Sequence, residues 1–303
     1  MAFSEQYRRQ VALLLRVLPH VAKEKCFALK GGTAINLFIR DMPRLSVDID
    51  LTYLPVAPRP ASLAAIDAAM KRIADSIREA VPGCHIAMAR KEDTVTNLTV
   101  RAGGVQVKIE VTPVMRGTAY ATETRAVTET VEQEFGFGEM QVVSFADLYG
   151  GKLVAALDRQ HPRDLFDVRD LFANEGLTDD LRKAFIVYLI SHDRPMFEVL
   201  RPRLKPLDGE FAQGFEGMTE EPVPLGLLAA TRDELIIRLV DDMPQAHREF
   251  LLSFERGEPD WALLGVAEAA DLPAVRWRQL NLDKLSAEKR ADLVEQLKKA
   301  LRH

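Results

Sequence analysis

The sequence predicts an N-terminal α/β domain followed by a mostly α-helical one, and three observations carry that expectation. Runs with two-residue alternation cluster before residue 144, most clearly at 46–52 and 105–112. From about residue 145 the apolar spacing turns helical and stays so. The chain has 303 residues, enough for two cores, and its 47% hydrophobic and 28% charged residues exclude a disordered polymer.

The elements follow in order. Val11, Leu14, Leu15 and Leu18 share one face of a first helix that ends near Pro19. Residues 26–29 form a short apolar strand, broken by Gly31-Gly32 and followed by a helix from Thr33. Residues 46–52 alternate strictly as a strand. After a loop with Pro55, Pro58 and Pro60, Leu63, Ile66, Met70, Ile73 and Ile77 line a helix closed by Pro82-Gly83. Residues 94–101 and 105–112 alternate around Gly103-Gly104 and read as a hairpin. A short strand at 140–143 leads to Ser144 and Asp147, the start of a helix. Helices are expected at 145–158, 163–173, 178–191, 229–241, 244–255 and 283–301, with a Pro/Gly-rich loop over 202–226.

Composition narrows the class further. The apolar run Phe185–Ile190 falls far short of the ~20 residues that cross a bilayer, and no secretory signal is legible, so a cytoplasmic protein without a membrane segment is expected. Cys26 and Cys84 lack metal-type spacing and are expected as small buried residues. The net charge of −5 divides into +1 over residues 1–173 and −6 over 174–303, which is not the profile of a globally basic nucleic-acid binder. The last stretch reverses this locally: Arg276, Arg278, Lys284, Lys289, Arg290, Lys298, Lys299 and Arg302 face four acidic residues near Trp277. That segment is either a basic patch or a solvated helix face.

The chemistry concentrates at 46–52, Ser-Val-Asp-Ile-Asp-Leu-Thr. Asp48 and Asp50, at i and i+2 of a strand, project to one side with Cα atoms roughly 6.5–7 Å apart and can grip the same divalent ions. Mg2+ takes hard oxygen ligands and bridges carboxylates to phosphates, and paired ions suit in-line phosphoryl displacement. A solvated edge strand is the alternative. Gly31-Gly32-Thr33 lies 15 residues before Asp48, at a strand-to-helix turn where backbone N–H groups can approach a phosphate; a ligand-free tight turn would look the same. Glu110, on the polar side of its strand, adds a third carboxylate able to bind metal or take a proton, or is an exposed strand residue. Downstream stand Gly151-Lys152-Leu153-Val154-Ala155-Ala156-Leu157 and Pro162-Arg163-Asp164-Leu165-Phe166-Asp167. Lys152 is either a cation for a triphosphate or a salt-bridged surface lysine. Asp164 and Asp167, on one helix face, either hold Lys152 and Arg163, contact a nucleotide, or compensate a helix dipole. His161 reads as a loop histidine.

In this order, Gly-Gly-Thr, Asp-x-Asp and a later acidic residue resemble the signature of the DNA polymerase β-type nucleotidyltransferase superfamily. More narrowly, Leu29-Lys30-Gly31-Gly32-Thr33-Ala34 and Asp48-Ile49-Asp50-Leu51, with the Lys152 and Asp164–Asp167 runs, look like the AbiEii/AbiGii-type nucleotidyltransferase toxins over residues 27–173. Beyond 174 only helical character matches. Thr33 replaces the commoner Ser, keeping the hydroxyl, and Glu110 replaces the usual Asp, lengthening the reach. The resemblance implies a nucleotidyltransferase domain over 1–143, a mixed sheet flanked by helices, and a helical domain over 144–303 whose first helices (144–173) complete the active site. It implies Asp48, Asp50, Glu110, Lys152 and Asp164 as catalytic residues, with Asp48, Asp50 and Glu110 as ligands of Mg2+ or alternatively Mn2+. Gly31, Gly32, Thr33, Lys152 and Asp167 are implied for binding the substrate NTP. The implied protein is the toxin of a toxin–antitoxin or phage-defence system, with a separately encoded antitoxin, that transfers NMP to an RNA acceptor, the tRNA 3′ end. The alternatives are nucleotidylation of a small molecule, such as an aminoglycoside, or of a protein, and a nucleotide-binding regulator without turnover.

Overall fold

Alternating apolar residues decide where the strands lie. In β5 (Val105–Arg116) Val105, Val107, Ile109 and Val111 are buried while Gln106 and Lys108 are exposed, the pattern of a sheet with one face on a core. The structure, a computed structural model, describes residues 4–301. Its elements divide into two compact units: a first running to Ser144 that also takes in Gly217–Glu221, and a second running from Phe145 that excludes that segment.

The first unit opens with α1 (Glu5–Ala22), capped by the Ser4 hydroxyl, which accepts from the Tyr7 N–H. This helix passes through Pro19 rather than ending there, and the extra turn buries Val21. β1 (Phe27–Lys30) leads into the short helix α2 (Gly31–Ala34), which continues as a wider π-type turn, Ile35–Ile39. β2 (Ile49–Tyr53) starts later than the alternation predicts, so Asp48 stands immediately before the strand. α3 (Arg59–Ala80) buries Ile66, Met70, Ile73 and Ile77 as expected, with Leu63 half-buried. β3 (His85–Lys91), β4 (Thr94–Ala102), β5, β6 (Glu123–Ala126), α4 (Glu129–Phe135) and β7 (Glu139–Val142) complete the unit.

The seven strands form one mixed sheet in the order β3-β4-β5-β2-β1-β7-β6. β2 runs parallel to β5 and β1 parallel to β7, while the remaining pairs are antiparallel. The β4–β5 hairpin turns at Gly103 and Gly104, both with positive φ, as a two-residue hairpin requires. β3, β6 and α4 have no counterpart in the sequence reading, because β3 and β6 are edge strands with little burial.

The second unit is helical: α5 (Phe145–Asp158), α6 (Pro162–Asn174), α7 (Asp179–Ile190), α8 (Met196–Leu200), α9 (Asp208–Gly214), α10 (Leu225–Ile236), α11 (Gln245–Glu255), α12 (Pro273–Asp283) and α13 (Ala287–Leu301). α5 and α7 cross closely because Gly150 has no side chain; a Cβ there would lie 2.9 Å from the Ala184 and Phe185 backbone. α9 falls inside the expected 202–226 loop. The expected 283–301 helix begins only at Ala287, because Ser286 caps it through the Lys289 N–H and Asp283 closes α12. Among the described residues no helix is long and apolar enough to cross a membrane. Cys26 and Cys84 are half-buried free thiols, not the buried ones expected.

Candidate active site

Strand register assembles a polar row across the first unit's sheet. Lys30 in β1 lies opposite Asp50 in β2, Asp50 beside Glu110 in β5, and Glu110 opposite Asn97 in β4. Register partners share a face, so the four side chains form one line with about 4.8 Å between strands. All four are half-buried, while Ile109 and Val111, the neighbours of Glu110, are buried on the opposite face. The Asn97 side-chain amide donates to Glu110 Oε1. Desolvation on burial lowers the Lys30 ammonium pKa, against the opposing pull of the Asp50 charge.

The glycine turn closes onto this row. Gly31 has a φ of +74°, and a Cβ there would stand 2.3 Å from Asp50 Oδ2. Only glycine both adopts that conformation freely and lets backbone lie against the carboxylate. Gly32 is tight in a different direction: a Cβ would meet Ser46 Oγ at 2.7 Å and Arg44 Nη2 at 2.8 Å. The turn is anchored from behind by Asn36, whose amide donates to the Gly32 carbonyl at 2.8 Å and whose Oδ1 accepts from the Arg44 N–H at 3.2 Å. Asn36 sits in the π-type turn, an irregularity that recurs at functional sites. Thr33 is fully buried, and its hydroxyl pairs with that of Ser46 at 3.2 Å. Tyr7 takes the Ser46 N–H at 3.2 Å, and burial pushes its own phenol pKa up.

Asp50 and Glu110 are register partners on neighbouring strands, and Asp48 stands two residues before Asp50, immediately ahead of β2. Among the described residues, no three His, Cys, Asp or Glu side chains stand close enough to hold a metal ion as they are. The donor set nonetheless fits a hard divalent cation, since all three offer only carboxylate oxygen and are half-buried.

The second unit contains its own buried charge group. Lys152 of α5 pairs with Asp164 Oδ1 and Asp167 Oδ2 of α6, both at 2.9 Å, and Arg159 reaches Asp164 through Nε at 2.5 Å and Nη2 at 2.9 Å. Burial alone would raise the Asp164 pKa, but Lys152 and Arg159 override it and hold the carboxyl well below the usual range. Arg159, not Arg163, is therefore the second cation held by Asp164. His161 caps α6, its Nδ1 accepting from the Arg163 N–H at 3.1 Å.

A family model of the nucleotidyl transferase AbiEii toxin of type IV toxin–antitoxin systems matches residues 12–277, spanning every residue of both groups. The chain belongs to this AbiEii family. It is accordingly a nucleotidyltransferase toxin, and its system implies an antitoxin partner. The fold is similar to that of MenT4, a nucleotidyltransferase toxin from Mycobacterium tuberculosis, with a TM-score of 0.60 and 16% identity over 96% of this chain and 94% of that one. A comparison with curated protein sequences gives no match.

Sequence reasoning missed Lys30 and Asn97 as members of the row, and Asn36, Ser46 and Arg159 as supports. Asn97 was within reach. The Gly103-Gly104 turn pairs Ala102 with Val105, and counting five residues back along each arm sets Asn97 against Glu110. Arg44 is buried behind Gly32. In the C-terminal segment Lys298 pairs with Glu295, Arg278 with Glu255 and Arg290 with Asp283. Trp277 is exposed with Lys284 over its ring, Lys299 is exposed, and Arg302 lies outside the described residues.

Proposed function

We propose that this AbiEii toxin transfers a nucleoside monophosphate from an NTP to an RNA hydroxyl, with the tRNA 3′ end as acceptor, in a phage-defence role. The observation that carries the reading is the approach of the Gly31 backbone to the Asp50 carboxylate on a row that also holds Glu110. A phosphate grip and a cation grip there meet at the sheet's central strands. Backbone N–H groups of residues 31–33 face the phosphates on this reading, while the buried Thr33 hydroxyl steadies Ser46. Asp48, Asp50 and Glu110 would hold divalent ions, Mg2+ or alternatively Mn2+, which when bound neutralise the triphosphate and polarise its α-phosphorus.

The acceptor hydroxyl oxygen attacks the α-phosphorus and passes its proton to Glu110. The bond from that phosphorus to the oxygen bridging to the β-phosphate breaks, and its electron pair leaves with pyrophosphate. Asn97 holds the Glu110 carboxylate in position. Lys152, Asp164 and Asp167 join the proposal through the family's sequence run, as a rigid group whose loss lowers transfer. For the RNA, exposed Trp277 offers a stacking surface and the cations around it offer phosphate contacts.

The test incubates the chain with each labelled NTP and total RNA, and in parallel with protein extract. Label on RNA that maps to tRNA 3′ ends is the expected result. Label on protein only would move the acceptor to a side chain, and no label on either would overturn macromolecular transfer.

A further inference from the structure

We infer that Lys30 is the ammonium that meets the triphosphate chain of the substrate. The inference rests on the reading of the polar row as the transfer site. Three features of the row lead to it. Lys30 is the residue immediately before the Gly31-Gly32 turn, and it closes the row that runs through Asp50 and Glu110 to Asn97. The neighbouring amide and guanidinium side chains are already engaged: Asn97 holds Glu110, Asn36 holds the turn, and Arg44 is buried behind Gly32. Lys30 makes no hydrogen bond or ion pair among the described residues, and the residue as a whole is half-buried.

An ammonium on a half-buried stem, beside the glycine turn and left without a direct partner, has the placement of a group kept for an incoming anion. A purely structural lysine on this row would be expected to close on Asp50, its register partner. Lys152 contrasts with it, since two buried carboxylates already engage that ammonium at 2.9 Å. A polyphosphate chain approaching three carboxylates needs positive charge beyond metal ions, and Lys30 supplies it as a point charge with three rotatable donors.

The experiment compares wild type with Lys30→Met, which keeps the stem and removes the charge, and with Lys30→Arg, which keeps the charge. Each is titrated with NTP, inorganic tripolyphosphate and the matching nucleoside in the presence of Mg2+, with melting curves alongside. Lys30→Met should weaken NTP and tripolyphosphate binding about ten- to a hundredfold, the worth of a charged hydrogen bond, and leave nucleoside binding unchanged. Lys30→Arg should retain most of the affinity, and in turnover the Met variant should raise KM more than it lowers kcat. Tripolyphosphate should also protect Lys30 of the wild-type chain from amine acylation, read by mass spectrometry, which depends on no variant folding. Unchanged tripolyphosphate affinity in Lys30→Met, an equal loss for nucleoside, or unprotected Lys30 overturns the assignment while leaving nucleotidyl transfer intact. A wild-type chain that binds neither NTP nor tripolyphosphate overturns both.

Discussion

Replacing Gly31 by alanine tests the contact between the turn and the carboxylate row. The backbone there sits at φ +74°, a region that costs an alanine about 1–2 kcal/mol. The new Cβ would begin 2.3 Å from Asp50 Oδ2, against 3.4 Å for ordinary contact, so the carboxylate has to retreat by about 1 Å. Displacement of that size in a reacting array costs about a hundredfold in rate. Gly31→Ala should therefore lower kcat about a hundredfold while the melting temperature falls only about 2–8 °C. Turnover at saturating NTP and a thermal melt on the same preparation read both quantities. Gly32→Ala is the internal comparison, since its Cβ meets Ser46 and Arg44 rather than Asp50. A Gly31→Ala variant with wild-type turnover would refute the claim that this backbone and Asp50 act together.

Glu110→Gln keeps the Asn97 contact but cannot accept a proton, so it should depress kcat far more than NTP affinity; an unchanged rate would return Glu110 to a structural role. Lys152→Met leaves Asp167 and part of Asp164 without their buried cation and should destabilise the fold by about 3–5 kcal/mol at neutral pH, measured by denaturant melts. Because the Asp164 pKa is held below its unfolded value of about 3.9, that stabilisation is complete above this pH and drains away below it. The gap between wild-type and Lys152→Met melting temperatures should accordingly narrow as pH falls under about 4. Gly150→Ala gains about 1 kcal/mol of helix propensity but drives a methyl into the Ala184–Phe185 backbone at 2.9 Å, and a net loss of about 1–2 kcal/mol is expected from the same melts.

Local patterning made much of the first unit legible. The Gly103-Gly104 hairpin, the alternation of β5 and the carboxylates around β2 follow from two-residue periodicity and turn chemistry. The β3–β4 turn was hidden because Glu92 and Asp93, both at positive φ, make it without glycine. Asp48 was assigned to a strand that begins one residue later, since alternation cannot say where hydrogen bonding to β5 starts. Lys30 and Asp50 meet only through antiparallel pairing of β1 with β2, a relation that neither run carries alone. Segment 217–221 joins the first unit through a Leu45 N–H to Met218 carbonyl bond, a contact across more than 170 residues that no local rule foresees. In the second unit α5, α6, α7, α10, α11 and α13 were legible from spacing and α8, α9 and α12 were not, whereas the choice of Arg159 over Arg163 as the partner of Asp164 depends on how α6 turns after its His161 cap.

Nucleotidyl transfer is proposed to occur at the Asp50–Glu110 row beneath the glycine turn. Its most direct test is transfer from labelled NTP to total RNA by wild type and by Asp50→Ala, with a melting curve on each preparation. Labelled RNA is expected with wild type and none above background with an Asp50→Ala chain that still melts cooperatively. Wild-type levels of labelled RNA from a folded Asp50→Ala chain would contradict it.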